Sequence, residues 1–147
     1  MSKRTDLYIV GGTSFTELAY LACKLSEKIS SNRQTALVLC QDDMQMQTLD
    51  ELMWSFKNEA FIPHSQASLP TDHYPIAINT RDKNRDQSLE TPIDNLVCIG
   101  PEPIENEPEH NRKLILVNSD QQSLNQARAL YKAMKAEGLE IHSHDLR

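Results

Sequence analysis

Residues Thr35-Ala-Leu-Val-Leu-Cys40 form an almost unbroken apolar run, and this run limits the fold more than any other feature. A strand with one face in water alternates apolar and polar residues; a strand covered on both faces need not. Coverage on both faces is the usual condition of parallel strands, because their crossover helices lie above and below the sheet. The chain supplies such a crossover. Leu7-Tyr-Ile-Val10 is strand-like and closes on Gly11-Gly12. Ser14-Phe-Thr-Glu17 has the form of a capping box, in which the Ser hydroxyl takes a helix amide and Glu17 reaches back. Leu18, Leu21, Ala22, Leu25 and Ile29 then recur at helical spacing up to a stop at Asn32. Strand, helix and strand of these lengths make a βαβ unit.

The pattern continues. Asp42 or Asp43 opens a second helix with Leu49, Leu52, Met53 and Phe56 as its apolar stripe. Strands are expected at 60–62, 74–78, 95–99 and 113–117, with a last helix over 120–137 that stops at Gly138. A short edge strand is expected at 139–141, and the polar stretches 79–91 and 101–109 read as exposed loops. Together these predict an α/β fold: a three-layer α/β/α sandwich with a mainly parallel, Rossmann-like central sheet, in one domain over 1–147.

Composition excludes several function classes. No apolar run approaches the roughly 18 residues needed to span a bilayer, and Met-Ser-Lys-Arg-Thr-Asp at the N-terminus lacks a signal-peptide pattern. A cytoplasmic location without membrane association is expected. Cys23, Cys40 and Cys98 are odd in number, match no zinc spacing and sit in apolar segments, so buried, reduced thiols are expected. Fifteen Lys+Arg against 21 Asp+Glu give a net charge of −6, which argues against strong direct nucleic-acid binding. The charge is uneven: 1–111 carry 9 basic and 17 acidic side chains, whereas 112–147 carry 6 and 4. A small basic region on an acidic chain suits a local anionic ligand rather than a long polyanion.

Among candidate sites, Gly11-Gly12-Thr13-Ser14 joins a strand to a helix N-terminus, a place where phosphate can bind. It is neither GxGxxG nor a P-loop, and a tight turn with a cap is the simpler reading. His64, His73, His110, His142 and His144 have no metal-ligand spacing and read as surface residues. No catalytic constellation, metal site or cofactor motif is present in the pattern. Trp54 stands out, because on a helical wheel it lies roughly 150° from the centre of its helix's apolar stripe. An off-stripe Trp packs under a loop or marks a protein interface. In the last helix Ala127, Leu130 and Met134 form the core stripe. Arg128, Lys132 and Lys135 share another face about 60° wide, and Tyr131 lies between the two. Such a face is either a solvated helix surface or a shelf for a short peptide with carboxylates and an apolar end.

Leu49-Asp-Glu-Leu-Met-Trp54, Glu59-Ala-Phe-Ile-Pro-His64 and Ala127-Arg-Ala-Leu-Tyr-Lys132 before Gly138 carry a resemblance over essentially the whole chain. The sequence resembles the chi subunit of bacterial DNA polymerase III. The resemblance implies a non-catalytic adaptor of the clamp-loader assembly in DNA replication. It would link the psi subunit to the acidic, Phe-ended C-terminal tail of single-stranded DNA-binding protein. The tail site would map onto Phe61, Val117, Arg128, Tyr131 and Lys132, lined by Gly138 and Leu139, with Lys135 adding charge; Trp54 would face psi. The family often carries a further basic residue where this chain has Leu124-Asn125, an Arg at Leu130 and an aromatic at Met134. These departures predict a weaker hold on the tail. Two alternative readings are a small nucleotide- or phosphate-binding α/β enzyme using the Gly12–Ser14 turn, and a chi-like partner of a repair helicase.

Overall fold

A computed structural model describes residues 4–55, 63–67, 69–71, 73–81, 93–104 and 107–147. The described elements run β1 (Arg4–Ile9), α1 (Phe15–Ser31), β2 (Ala36–Cys40), α2 (Asp43–Ser55), β3 (His64–Gln66), β4 (Ile76–Thr80), β5 (Ile93–Ile99), β6 (His110–Val117), α3 (Gln121–Ala136) and β7 (Glu140–Asp145). The strands form one seven-stranded sheet in the order β3-β4-β2-β5-β6-β1-β7, and every pairing is parallel. The expected α/β class and parallel sheet are observed.

The apolar run of β2 lies between β4 and β5 and is fully buried along its length. The unit β1-α1-β2 is a crossover as expected, but β5 and β6 lie between its two strands. Helices α1 and α2 cover one face, on a cluster that includes Leu18, Ala22, Leu49, Met53, Val38, Ile78 and Leu116. Helix α3 lies on the opposite face with Leu7, Ile115, Val117, Ala127 and Ile141. The layers are therefore helix, sheet, helix.

The helix ends follow the sequence with one change. Asp42 accepts the Gln45 amide at 2.8 Å, Asp120 caps α3 through the Ser123 amide, and Gly138 takes φ +75° just beyond the α3 C-cap. Ser14 is the N-cap of α1 in extended geometry, yet its side chain makes no capping bond. It instead donates to the Glu17 carboxylate, a charge-assisted bond.

Other expectations need correction. The strand expected at 74–78 is Ile76–Thr80, because Tyr74 is tied into a turn with Thr71 by two bonds. Asn79 and Thr80, expected in an exposed loop, are buried in β4, where Asn79 Oδ1 takes the Thr80 amide. Arg81 is folded onto the Ile99, Gly100 and Glu102 carbonyls. In the second loop Pro101 and Pro108 are buried. The edge strand is longer than expected, because β7 continues through His142-Ser-His to Asp145. The expected strand at 60–62 and the stripe residue Phe56 lie outside the described residues.

His73 and His142 are exposed as expected, but the other three histidines depart from a surface reading. His64 and His110 are buried, and His144 reaches Asp6, a carboxylate with no exposed side-chain surface. Asp6 also receives Arg4 and, at 2.6 Å, Arg112, whose other arm meets the Tyr8 hydroxyl at 2.9 Å. The His144 ring stacks on Tyr8 at 4.6 Å between centroids. This network ties β6, β1 and β7 together on the face opposite α3. Burial pushes the Asp6 carboxyl up, but its hydrogen bonds from Arg4, His144 and Arg112 outweigh burial and hold it at about 2.

All three cysteines are buried and unpaired as expected. Burial pushes each thiol up to about 12. The reactive thiolate is thus scarce at neutral pH. The native chain should release less than one equivalent of thiol to an aromatic disulfide reagent at pH 8, and three after denaturation; rapid native labelling of any of the three would contradict their burial.

Candidate functional site

Helix α3 runs back across β1 and β7, and the two strands supply what the helix cannot. In β1, Leu7 and Ile9 point toward α3 while Asp6 and Tyr8 point away, by the two-residue period of a strand. In β7 the register pairs Leu7 with Ser143 and Ile9 with Asp145, so these side chains share that face. Leu124, Ala127, Arg128, Tyr131 and Lys132 come down from α3, and Arg147 closes the end beyond β7. These residues enclose an open pocket of about 210 Å³ with Leu7, Ile9 and Ser143. Its floor is apolar, and its mouth carries three cations.

The structure brings Arg128, Tyr131 and Lys132 together, as the spacing implied. Tyr131 is half-buried and packs against the α3-side core, whereas both cations are exposed. Lys135 is not among the pocket-lining residues, and its Nζ lies 5.6 Å from the Tyr131 ring centroid, within cation–π range. Val117 is buried beside Ile9 and belongs to the same core cluster as Tyr131, but it lines a separate cleft with Thr13, Gln41 and Asn118. Gly138 and Leu139 are exposed at the opposite end of α3. Phe61 lies outside the described residues. Leu7, Ile9, Ser143 and Arg147 did not figure among the residues expected here, because helical spacing describes one wall only. The alternation Leu139-Glu-Ile-His-Ser-His-Asp145 is the signal that pointed to the other wall.

Arg147 is oriented by Asp145: Nε donates to Oδ1 at 3.0 Å and Nη2 to Oδ2 at 2.8 Å. The Arg147 hydrogen bonds hold the Asp145 carboxyl at about 2, so this pair is fully ionised at neutral pH.

Trp54 is 56% exposed, in keeping with its place off the α2 stripe. Its ring lies 4.5 Å from the buried His64 ring, tilted by 51°, and His64 Nε2 is 3.1 Å from Asp50 Oδ1. The indole is thus mounted on a buried ring rather than loose in solvent. β3 and β7 are the two edges of the sheet. Six strand spacings of about 4.8 Å put these edges roughly 29 Å apart. Trp54 and the Arg128 pocket also lie on opposite faces.

At the Gly11–Ser14 turn, Gly12 adopts φ +81°. A Cβ there would strike the Glu17 carboxylate, which therefore sits over the turn. Among the described residues no three His, Cys, Asp or Glu side chains gather as metal ligands, and no helix is long and apolar enough to cross a membrane.

A family model for the DNA polymerase III chi subunit, HolC, matches residues 3–142. The chain belongs to the DNA polymerase III chi subunit family. The DNA polymerase III subunit chi of Pseudomonas aeruginosa is 33% identical over 96 residues, 60% of this chain and 67% of the relative. That of Haemophilus influenzae is 23% identical over 147 residues and matches 99% of each chain. The likeness thus spans both the Trp54 region and α3. A chi subunit is an accessory component of polymerase III, which places this chain in DNA replication.

Proposed function

We propose that the chain is a non-catalytic, cytoplasmic adaptor of the polymerase III clamp-loader assembly. It binds the acidic C-terminal tail of single-stranded DNA-binding protein at the Arg128–Tyr131–Lys132 pocket and the psi subunit at the Trp54 surface. The pocket carries this reading. An apolar cavity of about 150 Å³ takes one benzene ring, so a 210 Å³ pocket suits one aromatic side chain. Cations at its mouth suit the carboxylates that would precede a terminal Phe. The separation of the two surfaces lets both partners bind at once, as an adaptor requires. The nucleotide-binding alternative loses support at Gly12, where the Glu17 carboxylate holds the ground a phosphate would need.

Titration of a fluorescent acidic peptide ending in Phe tests the tail site. Arg128→Ala and Tyr131→Ala should each weaken binding about tenfold, the loss of roughly 1.4 kcal/mol. An exposed ion pair alone contributes only about 0–1 kcal/mol. Deleting the terminal Phe should therefore cost more than neutralising one peptide Asp, and raising salt should weaken binding without abolishing it. Unchanged affinity in both variants would reduce the basic shelf to a solvated helix face.

A further inference from the structure

Arg147 lines the mouth of the pocket, but the edge of its guanidinium is already taken. Nε and Nη2 hold the two Asp145 oxygens at 3.0 and 2.8 Å, the parallel two-bond fork with which Arg also grips a ligand carboxylate. The same edge cannot hold two carboxylates in this geometry. Placement reinforces the conflict. Asp145 pairs in register with Ile9, which lines the pocket, and the Leu146 amide is tied to the Ile9 carbonyl at 2.8 Å. The pair is therefore anchored beside the mouth. Its two side chains remain 41% and 54% exposed, so the fork is open to exchange rather than locked in the core.

We propose that Arg147 is a third ligand-binding cation of this pocket and that Asp145 is its built-in competitor, displaced by the carboxylate of an incoming acidic peptide. The inference rests on the peptide-binding reading above. Asp145 then sets selectivity. A peptide with one carboxylate gains little by exchanging one fork for another. A peptide with several carboxylates satisfies Arg128 and Lys132 as well and still displaces Asp145.

The test is a double-mutant cycle on the full chain, read by anisotropy of a labelled acidic peptide ending in Asp-Phe, with thermal melts to verify folding. Asp145→Asn should tighten binding about threefold, and Arg147→Gln should weaken it about threefold, the scale of an exposed ion pair. In the Arg147→Gln background, Asp145→Asn should leave affinity unchanged. Equal tightening in both backgrounds would mean that Asp145 acts only through its general field, and no tightening in either would mean no competition; both results overturn the proposal. Arg128→Ala separates this from the parent reading. If Arg128→Ala weakens binding but Asp145→Asn does nothing, competition alone is wrong. If the wild-type chain fails to bind the peptide, both readings fall.

Discussion

Replacing Asp6 by Ala should destabilise the chain by about 2–3 kcal/mol and lower its melting temperature by roughly 10 °C. Asp6 has no exposed side-chain surface and receives Arg4, Arg112 and His144 from three strands. Removing one member of a buried charge cluster usually costs about 3–5 kcal/mol, because the partners are left unpaired. Arg4, Arg112 and His144 are 47%, 34% and 34% exposed, so water takes over part of their pairing and the lower figure applies. The pH dependence has a definite sign. The Asp6 carboxyl lies at about 2 in the folded chain against an ordinary 3.8. Its stabilisation is therefore complete above about pH 5 and fades as pH falls through 4 toward 2. Urea denaturation at pH 7 and pH 3 should show the wild type losing roughly half of this contribution on acidification, and Asp6→Asn lacking it at both pH values. Because His144 belongs to β7, the Ala variant should also loosen the strand that carries Ser143 into the pocket. Wild-type stability in Asp6→Ala would mean that the network is ornamental.

Trp54→Ala should weaken psi binding by about 2 kcal/mol or more, roughly thirtyfold, while shifting the stability of the isolated chain by no more than about 1 kcal/mol. A buried Trp reduced to Ala costs about 3–5 kcal/mol of folding free energy, but this indole keeps 56% of its surface in water. An aromatic side chain mounted on a buried ring loses little freedom when a partner covers it, which is the condition for an interface anchor. Calorimetric titration of purified psi, paired with urea midpoints of the two chains, separates the effects. A large loss of stability with unchanged psi affinity would assign Trp54 to folding instead.

Local sequence determined much of this protein. The unbroken apolar run of β2 and the run Leu96–Ile99 within β5 are best satisfied between covered faces, so the parallel sheet was legible. Helical spacing placed Arg128, Lys132 and Lys135 on one face with Tyr131 at its border with the core stripe, and put Trp54 off its own core stripe, because a helix wheel depends only on residues within two turns. Caps at Asp42 and Asp120 and the stop at Gly138 are equally local.

Strand order was not legible. Nothing in β1-α1-β2 states that β5 and β6 enter between its strands, since a crossover connection permits several separations. The polar residues of β1 and β7 were the other failure. His142 is exposed as its sequence suggests. Asp6 and His144 look equally like surface residues along the chain, yet Asp6 is buried because Arg112, distant in sequence, arrives on the neighbouring strand at 2.6 Å. A buried charge depends on partners, and partners from other strands exist only once register is set. The same holds for the pocket. Local spacing established one cationic wall, while the apolar floor from Leu7 and Ile9 and the Arg147–Asp145 pair follow from pairing β7 with β1.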